Sequence, residues 1–196
     1  MNIGLIIFIA LILAAALYVV SIFNRLVTLK HRTLNGLAQI EVQLKRRHDL
    51  IPKLVEVVKT AMHYEQETLQ AVLQARSTAA GQLNTAMLNP AGLGAMQILG
   101  QSESALSGLL HTMMMRVEAY PDLKASQSML QLSEELSTTE NRIAFARQAY
   151  NDQTTTYNAY KQSFPQQLFA TWFGHKQHAE LLEFNISHND QPLNFG

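Results

Sequence analysis

Residues 3–23 read IGLIIFIALILAAALYVVSIF, from Ile3 to Phe23, without one charged side chain. As a helix rising 1.5 Å per residue, the run spans about 30 Å, the hydrocarbon thickness of a bilayer. It is apolar on every face, whereas a helix on the core of a soluble domain keeps a polar side for water. A secretory leader is the competing reading, and Ala14-Ala15-Ala16 offers small residues for cleavage. Such leaders carry Lys or Arg ahead of an apolar stretch of about 7–15 residues. No basic side chain precedes this longer run. The expectation is a retained transmembrane anchor over residues 1–24. Arg25, Lys30 and Arg32 lie just beyond it. The positive-inside rule then sets a single-pass protein of the cell membrane, with a short N-terminus outside and the remainder in the cytoplasm.

Beyond the anchor the chain is long enough to bury one core. Lys plus Arg and Asp plus Glu are equal at 15 each, but unevenly placed: residues 1–59 hold eight basic against three acidic side chains, and residues 60–196 seven against twelve. The front and rear can therefore attract each other, or the front can face an anionic surface. Cysteine is absent, which excludes disulfides and thiolate metal sites. Nine Gly and five Pro, with no Pro before residue 52, suit long helices.

Apolar residues past Asn24 recur at intervals of three and four, with no strand alternation. Leu37, Ile40 and Leu44 mark a first helical face to about His48. Pro52 removes a backbone donor and biases Ile51 away from helix, and Asp49 can cap a new helix, so either the chain turns there, as is expected, or a long helix kinks. A second helix is read from Pro52 to about Ala80 on Leu54, Val58, Ala61, Glu65, Leu69 and Val72, antiparallel to the first, with Leu37 near Leu69. NTAMLNPAGLG (84–94) reads as a loop. A third helix, Ala95–Ala119, uses Leu99, Leu106, Leu110, Met113 and Val117. A fourth, Leu123–Phe164, carries the cleanest period: Met129, Leu132, Leu136, Thr139, Ile143, Ala146, Tyr150, Gln153, Tyr157 and Tyr160. The fold class expected is all-α: a single N-terminal transmembrane helix followed by an antiparallel up-and-down four-helix bundle, residues 25–184. The fourth helix exceeds its neighbours in length, so its end with Tyr150, Tyr157 and Tyr160 is expected to overhang as a self-association or membrane-facing surface.

Several stretches resemble the LemA family: Phe23-Asn24-x-Leu26-Val27, IEVQLKRRHDLIPKLVEVVK (Ile40–Lys59), HYEQETLQAVLQAR (His63–Arg76), AYPDLKAS (Ala119–Ser126), ELSTTENRIAFARQAYN (Glu135–Asn151) and YNAYKQSFPQQLFA (Tyr157–Ala170). Together they cover residues 18–184 in order, leaving 185–196 as a mobile tail. The resemblance implies one N-terminal membrane helix and an antiparallel helical bundle. It implies no established enzymatic activity and supplies no catalytic residue.

Lys45-Arg46-Arg47 sits about 30 Å along the helix from residue 24, several Debye lengths from a membrane surface. With three basic residues, no aromatic neighbours and a neutral chain around it, the tract does not suit nucleic acid. Ion pairing with an acidic helix, here or on a neighbour, is expected, Glu134, Glu135 and Glu140 being nearest in the sequence. Thr138-Thr139-Glu140-Asn141-Arg142 interrupts the fourth-helix seam, where Glu140 and Asn141 suit buried hydrogen bonds that fix register.

His63 with Glu67, or His175, His178 and His188 with Glu180 and Glu183, are too loosely ordered by sequence to specify a metal. No nucleophile triad, phosphate loop or small-molecule site is visible, nor the paired Glu-x-x-His of a di-metal bundle, and no cofactor is expected. Phe164, Leu168, Phe169, Trp172 and Phe173 flank or follow Pro165 on one apolar face, suited to capping the bundle end or lying at a membrane interface. The function expected is a non-enzymatic membrane scaffold whose partners are the lipid bilayer and either copies of itself or other membrane-associated proteins. An adaptor or regulator of a membrane-bound enzyme or signalling partner is the alternative, and an enzyme with an unrecognised site the third reading.

Overall fold

The computed structural model describes residues 3–62 and 65–184, all helical apart from turns and a C-terminal strap. Six helices follow in order among the described residues: α1 (Ile3–Ala61), α2 (Gln66–Leu88), α3 (Ala95–Val117), α4 (Pro121–Lys124), α5 (Gln127–Gln162) and α6 (Gln166–Ala170). The apolar run is the first third of α1, long and apolar enough to cross a membrane, and its side chains touch almost nothing else in the chain. From Ile22 onward α1 buries one side, packing mainly on α5 and also on α2, while α2 packs on α3.

The expected turn at Pro52 is not there. α1 continues through Pro52 to Ala61, so residues 52–61 belong to the first helix. Proline at 52 cannot donate to the carbonyl of His48, the cost that normally kinks a helix. Arg76 of α2 supplies the missing donor, its Nε–H bonding the His48 carbonyl at 3.0 Å. α2 instead runs back along α1, with Arg76 level with His48. Because α2 starts late, Leu37 and Leu69 lie in separate core clusters rather than together. The second helix also runs beyond Ala80, since Leu83 and Ala86 are buried, and stops at Asn89, which precedes Pro90.

Tyr120-Pro121 opens a single turn, α4, before Ser126 caps α5 by accepting the Met129 N–H at 3.3 Å. Every residue of the fourth-helix seam from Met129 to Tyr160 is buried or half-buried. α1 and α5 approach closely at Gly36: a Cβ there would stand 2.8 Å from Gln153 Oε1 and 3.3 Å from Tyr150 Cα. The core divides along α1 into three apolar layers, around Ile22–Leu29, around Leu37–Leu44 and around Ile51–Met62. The 185–196 tail and His63 lie outside the described residues.

Candidate functional site

Between the second and third apolar layers lies a layer of buried charge. Arg47 and His48 interrupt the apolar row of α1 between Leu44 and Ile51, and Glu103 interrupts that of α3 between Leu99 and Leu106. The two interruptions meet. The Arg47 guanidinium donates to Glu103 and, at 3.1 Å, to Ser107 Oγ, while His48 Nε2 lies 2.9 Å from the other Glu103 oxygen. A carboxylate can only accept, so His48 carries its proton on Nε2. All three side chains are almost fully shielded from water. Burial alone would raise the Glu103 pKa, but the His48 hydrogen bond and the Arg47 charge outweigh it and hold the carboxyl below its ordinary range. Glu140 of α5 stands 3.9 Å from Arg47. Its carboxyl is pushed up by burial, partly offset by Arg47.

Arg47 is thus turned inward, with no face for an outside partner. Arg46 reaches Glu135 at 3.7 Å, and Lys45 pairs with Glu41 on its own helix at 2.7 Å. Asn141, expected to be buried, is exposed. The layer ties α1, α3 and α5 at one level. Its buried, mutually paired charges are those of a register-setting ionic core.

The second constellation is where α5 ends. Its last turns do not overhang. Tyr150 and Tyr157 are buried and Tyr160 half-buried against α1 and a strap, residues 175–184, that runs back along α5. Asn158 pairs with both backbone groups of Ala179, donating to its carbonyl at 2.8 Å and accepting its N–H at 3.1 Å. Asn151 does the same with Leu182, at 3.1 and 2.9 Å. Seven residues of helix rise about 10.5 Å and three extended residues about 10 Å, so the two asparagines hold an extended strap in register.

Tyr150 donates to the Glu180 carbonyl at 2.8 Å, and Lys161 to that of Gln177. The Glu180 carboxylate accepts the N–H groups of Gly94 and Met96 at 2.6 and 3.2 Å, satisfying the N-terminus of α3. Leu182 is fully buried beside Leu99 and Ile143, and a Cβ on Gly100 would collide with the Glu183 carbonyl. The strap therefore fills the space between α3 and α5.

His175 opens the strap, its Nδ1 2.7 Å from the Tyr157 hydroxyl. Burial, then the charges of Lys30 and Lys161, lowers its pKa, so the neutral ring accepts the tyrosine proton. Burial likewise raises the Tyr157 hydroxyl and lowers Lys161. His175 and Glu180, considered as metal ligands, are each engaged elsewhere.

The turn between α5 and the strap contains α6. Phe173 meets Phe23 edge to face, ring centres 5.1 Å apart, and Phe169 stacks beside it at 6.3 Å. Phe164, Leu168 and Trp172 project outward. The aromatic run thus divides into two stripes, one packed on the bundle and one free.

The roles of Glu103, Asn151, Asn158 and Glu180 are not legible from sequence alone. Glu103 does leave a signal: it stands where the three-and-four row of Leu99, Leu106, Leu110, Met113 and Val117 lacks an apolar member. The sequence has known relatives. The chain is 27% identical over 136 residues to Protein LemA of Metamycoplasma hominis, across 69% of this chain and 58% of that protein, so it matches less than two thirds of that relative's length. The model of the LemA family matches residues 36–194, which takes in the strap and most of the tail. A match over that much of the sequence decides the matter, and the chain belongs to the LemA family.

Proposed function

We propose that this chain is a non-enzymatic, single-pass membrane scaffold. On this reading residues 3–23 cross the cell membrane and α1, α2, α3 and α5 form an antiparallel four-helix bundle on its cytoplasmic side. The observation that carries it is the continuity of α1, in which bare apolar segment and first core helix are one rod. An anchor without a hinge holds the body at a fixed attitude to the bilayer, which suits presentation of surfaces to other copies or to membrane-associated proteins. Arg25, Lys30 and Arg32 support the orientation, and membership of a family that is not a known enzyme family supports the absence of catalysis.

The adaptor reading is favoured by one feature. Phe145 is 74% exposed over a shallow depression lined by Gln148, Asp152 and Phe184, a place for a partner's apolar side chain.

A reporter fused after Gly196 tests the orientation: cytoplasmic activity is expected, weakened in R25Q/K30Q/R32Q, and activity outside the cytoplasm overturns it. Native mass in mild detergent tests the assembly. Multiples of the 22.0 kDa chain are expected for self-association. A strictly monomeric mass at all concentrations and at low salt rejects it in favour of a different partner.

A further inference from the structure

We infer that the turn joining α5 to the strap is a second membrane contact, with Phe164, Leu168 and Trp172 seated in the interface of the bilayer that α1 crosses. The inference rests on the anchor reading above and adds to it a surface contact by a different part of the chain.

Position carries it. α5 runs antiparallel to α1, as Arg47 with Glu140 and Gly36 with Tyr150 fix. Continued toward the anchor, the same register sets Tyr157 among Ile22, Leu26 and Leu29, and brings the end of α5 level with about Arg25. There the chain turns. Phe173 packs on Phe23, the last residue of the uncharged run, and the strap then leads back along α5, away from the anchor. Residues 163–174 are consequently the last layer of folded protein before the bare apolar helix. A bilayer that surrounds residues 3–23 has its headgroup boundary at that level.

Chemistry agrees with position. Phe164 is 81%, Leu168 60% and Trp172 84% exposed, an apolar stripe that water would otherwise cover. Their neighbours Gln162, Gln166 and Gln167 are polar but uncharged, and Arg25 is exposed at the same height. Aromatic side chains with a polar edge are favoured where hydrocarbon gives way to headgroups, Trp above all. The inner stripe, Phe169 and Phe173, fixes the outer one by packing on α1, so the contact is preformed.

Trp172 is the only tryptophan in the chain and reports on its own surroundings. The full-length protein is reconstituted into phosphatidylcholine vesicles, alone or with lipid brominated near the headgroup or deep in the acyl chain. The F8W/W172F protein, checked for native helicity by circular dichroism, moves the indole into the span as a control. The expected result is emission at shorter wavelength than for an indole in water, loss of intensity with the shallow bromines, and protection from iodide. Iodide quenching of Trp172 with no effect of bromines overturns the inference. Protection from iodide without bromine quenching also overturns it, since another protein surface then covers the stripe. In both cases the F8W/W172F indole remains quenched by deep bromines, and the anchor stands. If that indole also escapes the deep bromines, the anchor reading fails and the surface contact falls with it.

Discussion

Arg76 Nε–H donates to the carbonyl of His48 at 3.0 Å, the acceptor that Pro52, four residues on, leaves without a backbone donor. A side chain of α2 thereby completes the hydrogen-bond ladder of α1 and lets a proline sit within a 59-residue helix.

The relation has a double-mutant signature. Arg76→Met leaves a half-buried carbonyl unpaired and should cost about 1–3 kcal/mol. Pro52→Ala restores an amide at residue 52, so the same substitution in a P52A background should cost less. Thermal unfolding of the detergent-solubilised chain, followed by circular dichroism for the four proteins, measures the coupling. Equal costs in both backgrounds would mean that Arg76 acts through Asp49, 3.9 Å away, and not through the carbonyl.

Glu103 should be the most sensitive position of the ionic layer. Glu103→Gln strands the buried Arg47 charge, and breaking a buried pair from one side costs roughly 3–5 kcal/mol. Replacing both partners, as R47M/E103L, should recover most of that loss, because the desolvation cost vanishes with the charges. The folded Glu103 pKa lies below the unfolded one. Its stabilisation is therefore complete above the ordinary carboxylate value of about 4.3 and is lost as pH falls through the lower folded value. Glu140 acts in the opposite sense: burial raises its pKa, so protonation, setting in above the ordinary carboxylate value, relieves a cost. Melting temperature against pH for wild type, E103Q and E140Q separates the two contributions.

Helix type, the inward seam of α5 and the uncharged run are written in side-chain period and composition, which is why they are legible without coordinates. The continuity of α1 through Pro52 is not, because its remedy is tertiary: nothing local to residue 52 announces a donor from Arg76. The ionic layer is half legible. Arg47 stands out as part of a basic tract, but its partner Glu103 looks like a lone acid until the rows of α1 and α3 are superposed and their interruptions coincide. The strap carries no helical or strand period, and the two asparagines that hold it gain meaning only from a segment some twenty to thirty residues later. Helix lengths alone suggest an overhang of α5, yet α1 also runs on past α2 and α3, and it covers Tyr150 and Tyr157.

The strap should be released by a single methyl group. A Cβ at residue 100 collides with a backbone oxygen, Glu183 O, that cannot turn aside as a flexible side chain would. Gly100→Ala should therefore lift residues 179–184 and expose Leu182, while favouring α3 itself through the better helix propensity of alanine. Hydrogen exchange should show faster exchange at the Ala179 and Leu182 amides with the α1–α5 pairing still protected. Asn151→Ala and Asn158→Ala should each cost about 1–3 kcal/mol, two hydrogen bonds at roughly 0.5–1.5 each. Unchanged exchange in G100A would mean that the strap does not seal the α3–α5 gap.

Acid should loosen the same strap from its other end, through His175. Its ring is buried against Tyr157 and Lys161 of α5, with Lys30 of α1 contributing positive charge. Its folded pKa is depressed, so the folded protein resists a proton that the unfolded chain accepts. The stabilisation is complete above the ordinary histidine value of about 6.5 and is lost as pH falls through the lower folded value. Protonation also removes the Nδ1 acceptor of the Tyr157 hydroxyl and sets a third positive charge beside Lys30 and Lys161. Exchange at the Ala179 amide should consequently rise on acidification below the ordinary histidine value, after correction for the intrinsic pH dependence of exchange. His175→Gln keeps an acceptor without a titrating ring and should flatten the response over that range. A strap that loosens identically in wild type and H175Q would assign the acid sensitivity to another group, with Glu180 at the head of α3 the next to replace.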